Sequence, residues 1–414
     1  MMSFMQRHTR LWGSGIIVLC LVAIVVVVVT DGMRSVTGNV QKDEAMETFV
    51  RQGTQYLLGM IDEEYNGVHK YYYPEEDRLE PTLHTIYTAS TAFTLMQAAQ
   101  CLNDETLMDQ ALASAEFLLS MQDMTENRKK ISGAFNYSFS LETQNSDQNF
   151  AVGTASKTIF TLLELGRETE DPQYLAAAQQ AGDWLLTMQK DDGDMKPYIR
   201  EDENGKLLSG KRVSLLYNGQ VLSALSRLYT ATQKAMYRDA ARGIAQFLMA
   251  KVEKEGCYVG DDYRDPNPIS SSWVIQSFLD YALASGNDSY QKTAYRCADE
   301  LLTRQIESSN VLRNGRWDEA YSTSGNGWIA EVMVNVARIC RAQERNDCDQ
   351  YQEAAQRAMH WVMQYAYTPE KASAMPNPDR TEGGIAWSGN QSFVRTDTVC
   401  HGLNAAIGLL CPSE

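Results

Sequence analysis

The residues with the clearest chemical potential lie near the C-terminus, where Arg395-Thr396-Asp397 is followed by His401. Asp397 and His401 are four residues apart, so on a helix they share one face. The aspartate can hold the imidazole in one tautomer, and Arg395 can bind a carboxylate through two hydrogen bonds. The cluster predicts proton transfer near a carboxylate-bearing substrate. The alternative is a structural Asp–His pair that caps the helix.

Glu331 is a second candidate because it follows Trp328 by one turn in an otherwise apolar helical pattern. A carboxyl group that faces a cavity beside an aromatic ring can have a raised pKa, as a general acid requires. The alternative is a side chain turned outward against a neighbouring helix. Hydrolysis of a glycoside needs two carboxylates, and Glu331 could act with Asp397 or with a loop aspartate. The loop candidates are Asp192, Asp194, Asp261 and Asp262.

The other candidates share a position in the first turns of predicted helices, where free N–H groups and partial positive charge favour polar ligands. The candidates for proton transfer are His84 and Tyr217, and those for substrate binding, beside Arg395, are Lys157, Asn218, Gln220, Trp273, Trp328 and Trp387. For the polar residues the alternative is local capping. For the tryptophans it is burial of the loops against each other.

A repeated helical unit must position these residues. An apolar motif such as Trp184-Leu185-Leu186 recurs with its first position at residues 56, 117, 184, 247, 300 and 361. Each copy is followed by a glycine with an apolar or aromatic residue close behind, as in Gly193 and Met195. Six copies at a roughly constant spacing indicate one supersecondary unit repeated six times.

The helical pattern predicts twelve helices between about residues 44 and 410. Links after the odd-numbered helices are long and rich in glycine, aromatic and charged residues, whereas links after the even-numbered ones are short. Antiparallel packing then places all long loops at one end. Even-numbered helices are rich in small residues, as an inner ring requires, and odd-numbered ones carry a single apolar stripe. We therefore predict an all-α (α/α)6 toroid of six outer–inner hairpins over residues 44–414.

The outer-helix motif, the glycine–aromatic loops and the six hairpins resemble the six-hairpin glycosidase-like toroids over about residues 44–411. That group includes glycoside hydrolases, polysaccharide lyases and uronyl epimerase domains. The resemblance implies an enzyme that acts on a neutral or acidic polysaccharide by hydrolysis, β-elimination or epimerisation. The alternative is a non-catalytic glycan-binding or assembly component of an envelope polysaccharide system. Two facing carboxylates in the cavity would favour a hydrolase, arginine with histidine or tyrosine a lyase or epimerase, and aromatic residues alone a binding protein.

Composition limits the partners and cofactors. A net charge of −16 opposes binding to nucleic acid, which requires a basic surface. The chain has five histidines and neither an H-E-x-x-H nor a C-x-x-C spacing, so no metal site or cofactor is predicted. Calcium held by loop carboxylates is a type of site that sequence does not reveal. The expected partner is a polysaccharide or oligosaccharide.

The N-terminus predicts a membrane anchor. Residues 15–29 carry no charge, and basic residues precede the apolar segment 11–30. This segment approaches the roughly 20 residues that span a bilayer. By the positive-inside rule, residues 1–10 are cytoplasmic, residues 31–43 form a tether, and the remaining domain is periplasmic or extracellular. A cleaved signal peptide is the alternative.

Seven cysteines follow Cys20, and an oxidising compartment would allow them to form disulfides. Cys101 and Cys411 end two inner helices that become neighbours when the ring closes, so they are a candidate pair. Cys340 and Cys348 flank a short turn and are a second. The alternative for the first pair is two small buried apolar residues.

Overall fold

The computed structural model of the protein describes residues 44–125, 128–317 and 322–412. The chain divides into two compact units, Met1–Thr48 and Phe49–Glu414. In the first unit, residues 44–48 are described and are helical. The predicted cytoplasmic segment 1–10, anchor 11–30 and tether 31–43 lie outside the described residues. Within the described ranges, no helix combines the length and the apolar character that crossing a membrane requires.

The second unit consists mainly of helices. In chain order they are α1 (49–59), α2 (Thr85–Leu102), α3 (Glu105–Ser120), α4 (Val152–Thr169), α5 (Pro172–Met188), α6 (Leu215–Thr232), α7 (Ala235–Glu255), α8 (Pro268–Ser285), α9 (Asp288–Leu302), α10 (Thr323–Ala342), α11 (Asp349–Met363), α12 (Pro369–Ala372), α13 (Pro378–Thr381) and α14 (Thr396–Leu410). The very short α12 and α13 lie in the last long link and were not predicted.

The long helices form two concentric rings. The inner ring runs α2, α4, α6, α8, α10 and α14, and α14 packs against α2 to close it. Helices α3, α5, α7, α9 and α11 each pack outside the inner helix that precedes them. Gly53 of α1 lies against Leu403 of α14, and this contact makes α1 the sixth outer helix. The predicted (α/α)6 toroid is therefore confirmed for the second unit.

Local sequence sets the helix starts and ends. Asp104 and Asp171 accept hydrogen bonds from the backbone N–H groups of Thr106 and Gln173, as N-cap residues do. Pro172 at the first helical position needs no hydrogen-bond partner for its nitrogen.

The glycine of the repeat is required by a close crossing of two chain segments. Gly133 has a φ of +88°, and a Cβ there would lie 2.2 Å from the carbonyl oxygen of Gln180 in α5. Gly315 has a φ of +89°, and its Cβ would lie 2.2 Å from the carbonyl oxygen of Arg357 in α11. Only glycine combines positive φ with so close an approach. In these copies the glycine is therefore required because the loop folds back over the next outer helix.

Ten short strands lie in the long links of the described chain. They are β1 (Tyr71–Tyr73), β2 (Arg78–Leu79), β3 (Thr82–His84), β4 (Ser138–Ser140), β5 (Asn145–Ser146), β6 (Asn149–Ala151), β7 (Tyr198–Glu201), β8 (Leu207–Ser209), β9 (Ala386–Ser388) and β10 (Gln391–Arg395). They form antiparallel sheets in the orders β2-β1-β10-β9, β3-β4-β5 and β6-β7-β8. These sheets join the first long link to the last, the first to the second, and the second to the third. The pairing agrees with the prediction that the long links share one end of the toroid.

Three disulfides link the described chain: Cys101–Cys411, Cys340–Cys348 and Cys257–Cys297. The first has a Cα–Cα distance of 5.6 Å and closes the ring as predicted, and the second is the other predicted pair. The third joins the loop after α7 to α9 and was not predicted. Cys400 remains a buried free thiol.

Candidate functional site

The first turns of the inner helices surround a cavity of about 490 Å³ on the long-loop side of the toroid. We call it the loop-side cavity. Its polar and aromatic lining includes Tyr87, Lys157, Gln220, Arg264, Trp273, Ser324, Trp328, Trp387, Arg395, Asp397 and His401. Eight of these eleven are residues that the sequence singled out for the site, which supports the predicted location.

At one side of this cavity, Arg395 and Asp397 form a two-point ion pair. Arg395 Nε lies 2.5 Å from Asp397 Oδ1, and Nη2 lies 2.6 Å from Oδ2. Ser324 donates a hydrogen bond of 3.3 Å to Asp397, and the guanidinium lies 4.1 Å from the centre of the Trp387 ring. The prediction that Asp397 orients His401 is therefore wrong, because its carboxylate is held by Arg395. Burial opposes the charge of Arg395, but Asp397 outweighs it and raises the pKa of the guanidinium.

His401 is paired with Glu331 instead. His401 Nδ1 lies 2.7 Å from Glu331 Oε2, and Asn404 donates to Oε1 at 3.2 Å. Burial acts to raise the pKa of Glu331, but His401 and Lys157 outweigh it, and the pKa falls below its ordinary value. The prediction that the pKa of Glu331 is raised is therefore wrong. The alternative of a side chain turned outward is wrong as well, because Glu331 faces the interior of the ring. An ionised carboxylate only accepts hydrogen bonds, so Nδ1 is the donor in this contact.

Lys157 places a half-buried positive charge beside the same residues. Its Nζ lies 5.4 Å from the ring centres of both Trp273 and Trp328, which stack on each other at 3.9 Å. The Trp328 ring also meets the His401 ring edge to face at 5.2 Å. Burial lowers the pKa of Lys157. The cavity floor thus combines a cation, two aromatic rings and an imidazole.

A second and larger cavity, of about 1080 Å³, lies behind this floor, between the C-terminal halves of the inner helices. We call it the turn-end chamber because it opens beside the short turns. The two cavities share the lining residues Ser90, Lys157, Trp273, Trp328 and His401. Glu331 and Asn404 line the turn-end chamber. The wall between the cavities is therefore one layer of side chains thick.

Two buried polar atoms at the site have no hydrogen-bond partner within the described chain. They are Gln220 Oε1, on the loop-side cavity, and Trp328 Nε1, whose ring borders both cavities. Leaving such groups unpaired costs roughly 1–3 kcal/mol each. A bound molecule with hydroxyl groups would satisfy both.

Other candidates lie outside the cavity lining. His84 is buried between the rings of Tyr87 and Tyr137, with centre distances of 5.7 and 5.3 Å, and its Nε2 lies 3.5 Å from Glu80 Oε2. It therefore lies one layer behind the loop-side cavity, and the prediction that it faces the cavity is wrong. Tyr217 is also outside the lining, and its ring lies against Gly153.

Asn218 and the loop acids have structural partners. Asn218 donates to Asp194 Oδ1 at 2.7 Å and accepts from the backbone of Met195, so it fixes a loop instead of binding substrate. Asp261 accepts a hydrogen bond from the backbone N–H of Leu215, at the start of α6, and Asp262 accepts one from that of Val213, just before α6. Asp192 accepts one from the backbone N–H of Asp194. Asn218 therefore fits the alternative of local hydrogen bonding, and the loop aspartates bind groups of the loops themselves.

Sequence reasoning missed two residues of the site. Asn404 lies three residues after His401 on the same helix, and this spacing was the signal that could have found it. Ser324 lies at the cavity because α10 brings it there, and no local motif marks it.

Comparisons with known proteins agree with this fold. The sequence model of glycosyl hydrolase family 76 matches residues 87–261. A cellobiose 2-epimerase from Bacillus thermoamylovorans B4167 is similar in structure, with a TM-score of 0.65, 14% identity, and coverage of 88% of this chain and 99% of that one. No curated protein matches the sequence.

Two further solved structures are similar. One is an inactive variant of the α-1,6-mannanase GH76A of Salegentibacter sp. HEL1_6 in complex with α-1,6-mannotriose, in which two adjacent aspartates are replaced by asparagine. Its TM-score is 0.59 at 13% identity, covering 88% of this chain and 99% of that one. The other is a D-mannose isomerase, with a TM-score of 0.64 at 12% identity, covering 89% of this chain and 97% of that one.

The chain therefore has the six-hairpin toroid fold that the sequence resemblance implied. Over residues 87–261 its sequence also resembles a family of glycoside hydrolases.

Proposed function

We propose that the protein is a carbohydrate-active enzyme that moves protons to and from carbon atoms of a saccharide, as in epimerisation, isomerisation or β-elimination. The observation that carries the proposal is the hydrogen bond of 2.7 Å between His401 and Glu331 at the floor of the loop-side cavity. Carboxylate-bound imidazole is a common general base. The likeness to proteins named epimerase and isomerase supports this class of reaction.

The geometry suggests a role for each group. His401 Nε2 removes a proton from a carbon next to a carbonyl group, and Glu331 stabilises the imidazolium that forms. The electron pair moves to the carbonyl oxygen, where the ammonium group of Lys157 compensates the negative charge. Return of a proton to the other face of that carbon gives epimerisation, and return to the adjacent carbon gives isomerisation. Departure of a group from the next carbon gives elimination.

The state of the carboxylates argues against hydrolysis. A hydrolase needs one carboxyl group protonated as the acid. Asp397 is held by Arg395, and the pKa of Glu331 is lowered. Within the described part of residues 87–261, which match the hydrolase family, no carboxylate lines the loop-side cavity. The adjacent pair Asp261-Asp262 holds backbone N–H groups and does not resemble a catalytic pair.

Hydrolysis is nevertheless the second candidate, because the family match favours it. In that case Asp397, on the wall of the loop-side cavity, would have to leave Arg395 to act as base. Non-catalytic glycan binding is the third, and it requires only the aromatic and amide groups of the lining.

The saccharide and the location are also part of the proposal. A cavity with tryptophan rings and amides suits an oligosaccharide, and similar structures are a cellobiose 2-epimerase and a mannotriose complex. Three disulfides suit an oxidising compartment. Together with the apolar run 15–29, they support a toroid tethered on the outer side of a membrane.

The test is incubation of the full chain in D2O with cellobiose, D-mannose, α-1,6-mannotriose and a panel of acidic polysaccharides. NMR detects deuterium at carbon, a reducing-end assay detects hydrolysis, and ultraviolet absorbance detects unsaturated uronate. We expect carbon-bound deuterium or unsaturated product. New reducing ends without either would favour hydrolysis and overturn the proposal.

A further inference from the structure

We propose that the turn-end chamber is a second saccharide-binding site, opposite the loop-side cavity. The inference rests on the proposed function for the class of its ligand. The chamber is lined by the last turns of the inner helices, and its rim includes the exposed residues Gln100, Arg341 and Pro412. Access from the short-turn face therefore does not require passage through the loop-side cavity.

The wall of the chamber is a fixed network of planar polar groups. Arg227 donates to both oxygens of Asp280 at 3.1 and 3.3 Å. Gln276 donates to Asp280 at 3.3 Å, and Asn335 donates to Gln276 at 3.3 Å. Because each group is oriented by the next, their remaining donors and acceptors have defined directions. Such a set of oriented amide, carboxylate and guanidinium groups recognises hydroxyl groups.

Aromatic surface accompanies this network. The guanidinium of Arg227 lies 4.4 Å from the ring centre of Phe160. Trp273 and Trp328 form the end of the chamber that lies nearest to the His401–Glu331 pair. Apolar rings beside oriented polar groups are the usual composition of a small-molecule site. The volume of about 1080 Å³ slightly exceeds the upper limit of about 1,000 Å³ that is usual for such sites.

The three carboxylates of the chamber already have partners. Glu164, Asp280 and Glu331 bind Arg167, Arg227 and His401, and all six residues belong to the lining. The uncharged polar groups of the lining therefore indicate the ligand. Ser223, which also lines the chamber, is fully buried and its Oγ has no hydrogen-bond partner within the described chain. Trp328 Nε1, buried and unpartnered, needs an acceptor. A hydroxyl group both donates and accepts, so a saccharide satisfies both.

A ligand in the chamber would touch the catalytic floor from behind. Lys157, Trp328 and His401 line both cavities, and Glu331 lines the chamber. A ligand in the chamber would therefore contact Lys157 and the His401–Glu331 pair, the same groups that act on a substrate in the loop-side cavity.

The experiment measures binding of cellobiose and α-1,6-mannotriose to the full chain by calorimetry and by saturation-transfer NMR. The chamber variant is Asn335→Leu, and the rim variant Arg338→Trp narrows the mouth at an exposed position. Gln350→Leu, on the outer surface of α11, is the matched control. Trp387→Ala weakens the loop-side cavity alone. Thermal melting confirms that each variant is folded.

We expect two binding events in the parent chain. Asn335→Leu and Arg338→Trp should each weaken one of these events, with at least a tenfold loss of affinity. Gln350→Leu should leave both events unchanged. Trp387→Ala should weaken the other event. Binding that responds only to Trp387→Ala, or no binding of either sugar, would overturn the inference. Deuterium exchange at carbon is measured in parallel. Exchange that persists without a second binding event refutes the chamber alone, and two binding events without exchange refute the proposed reaction alone.

Discussion

His401 Nδ1 and Glu331 Oε2 lie 2.7 Å apart although 70 residues separate them in the sequence. They come from α14 and α10, which are neighbours in the inner ring. The contact places a carboxylate-bound imidazole between Lys157 and the two stacked tryptophans. Among the described groups of the interior, this arrangement offers the clearest means of moving a proton.

Glu331 should make the stability of the protein sensitive to acid. Its pKa in the folded chain lies below the ordinary value. Its charge therefore stabilises the fold above the unfolded-state pKa of about 4.3, and this contribution is lost as the pH falls through the lower folded value. Urea unfolding should show a steeper loss of stability below about pH 4.3 in the parent chain than in Glu331→Gln. Equal slopes would contradict the assignment.

The Arg395–Asp397 pair should behave as a coupled unit. Asp397→Asn leaves the half-buried guanidinium without its partner, so we expect a loss of stability of about 1–3 kcal/mol. The double variant Arg395→Met, Asp397→Asn should recover part of this loss. Chemical denaturation of the parent, both single variants and the double variant gives the coupling energy. Additive single effects would mean that the pair contributes no interaction.

The ring-closing disulfide should matter more than the local one. Cys101–Cys411 spans 310 residues and Cys340–Cys348 spans 8. In the chain-entropy model, the difference in loop length corresponds to about 3 kcal/mol. We expect Cys101→Ser with Cys411→Ser to lower the free energy of unfolding more than Cys340→Ser with Cys348→Ser. The reverse order in equilibrium unfolding would show that the chain-entropy argument fails here.

The repeat glycines should not tolerate a side chain. At Gly133 a Cβ would lie 2.2 Å from a carbonyl oxygen, and the φ is positive. We expect Gly133→Ala to destabilise the protein by at least about 2 kcal/mol. Gly59, at the end of α1, has open space around it, so Gly59→Ala should be neutral or stabilising by about 0.5–1 kcal/mol. Similar melting temperatures for the two variants would contradict this account of the repeat.

Sequence predicted the fold better than the site because the repeat leaves six copies of its signal. Helix order, the inner and outer rings and the closure by Cys101–Cys411 all follow from spacing and from link length. The pairing of Cys257 with Cys297 does not, because it depends on where the loop after α7 passes α9.

The sequence predicted where the site lies, but it predicted only some of the contacts between the residues of the site. Helix N-termini indicated which residues would surround the cavity, and Lys157, Trp273 and Trp328 are found there. The partners of Asp397 and His401 could not be read from the i, i+4 spacing. Asp397 is two residues from a guanidinium that reaches it, whereas His401 meets a glutamate from another helix. Local periodicity predicts the face of the helix on which a residue lies. The side chain that it contacts there depends on the neighbouring helix.

His401, held by Glu331, is proposed to transfer a proton at carbon. NMR of deuterium incorporation into cellobiose and D-mannose in D2O compares the parent chain with His401→Gln, with Gln350→Leu as the control. We expect carbon-bound deuterium with the parent and the control, and a loss of at least a hundredfold in rate with a His401→Gln variant that thermal melting shows to be folded. Undiminished incorporation by a folded His401→Gln variant, or release of reducing ends without any deuterium at carbon, would contradict it.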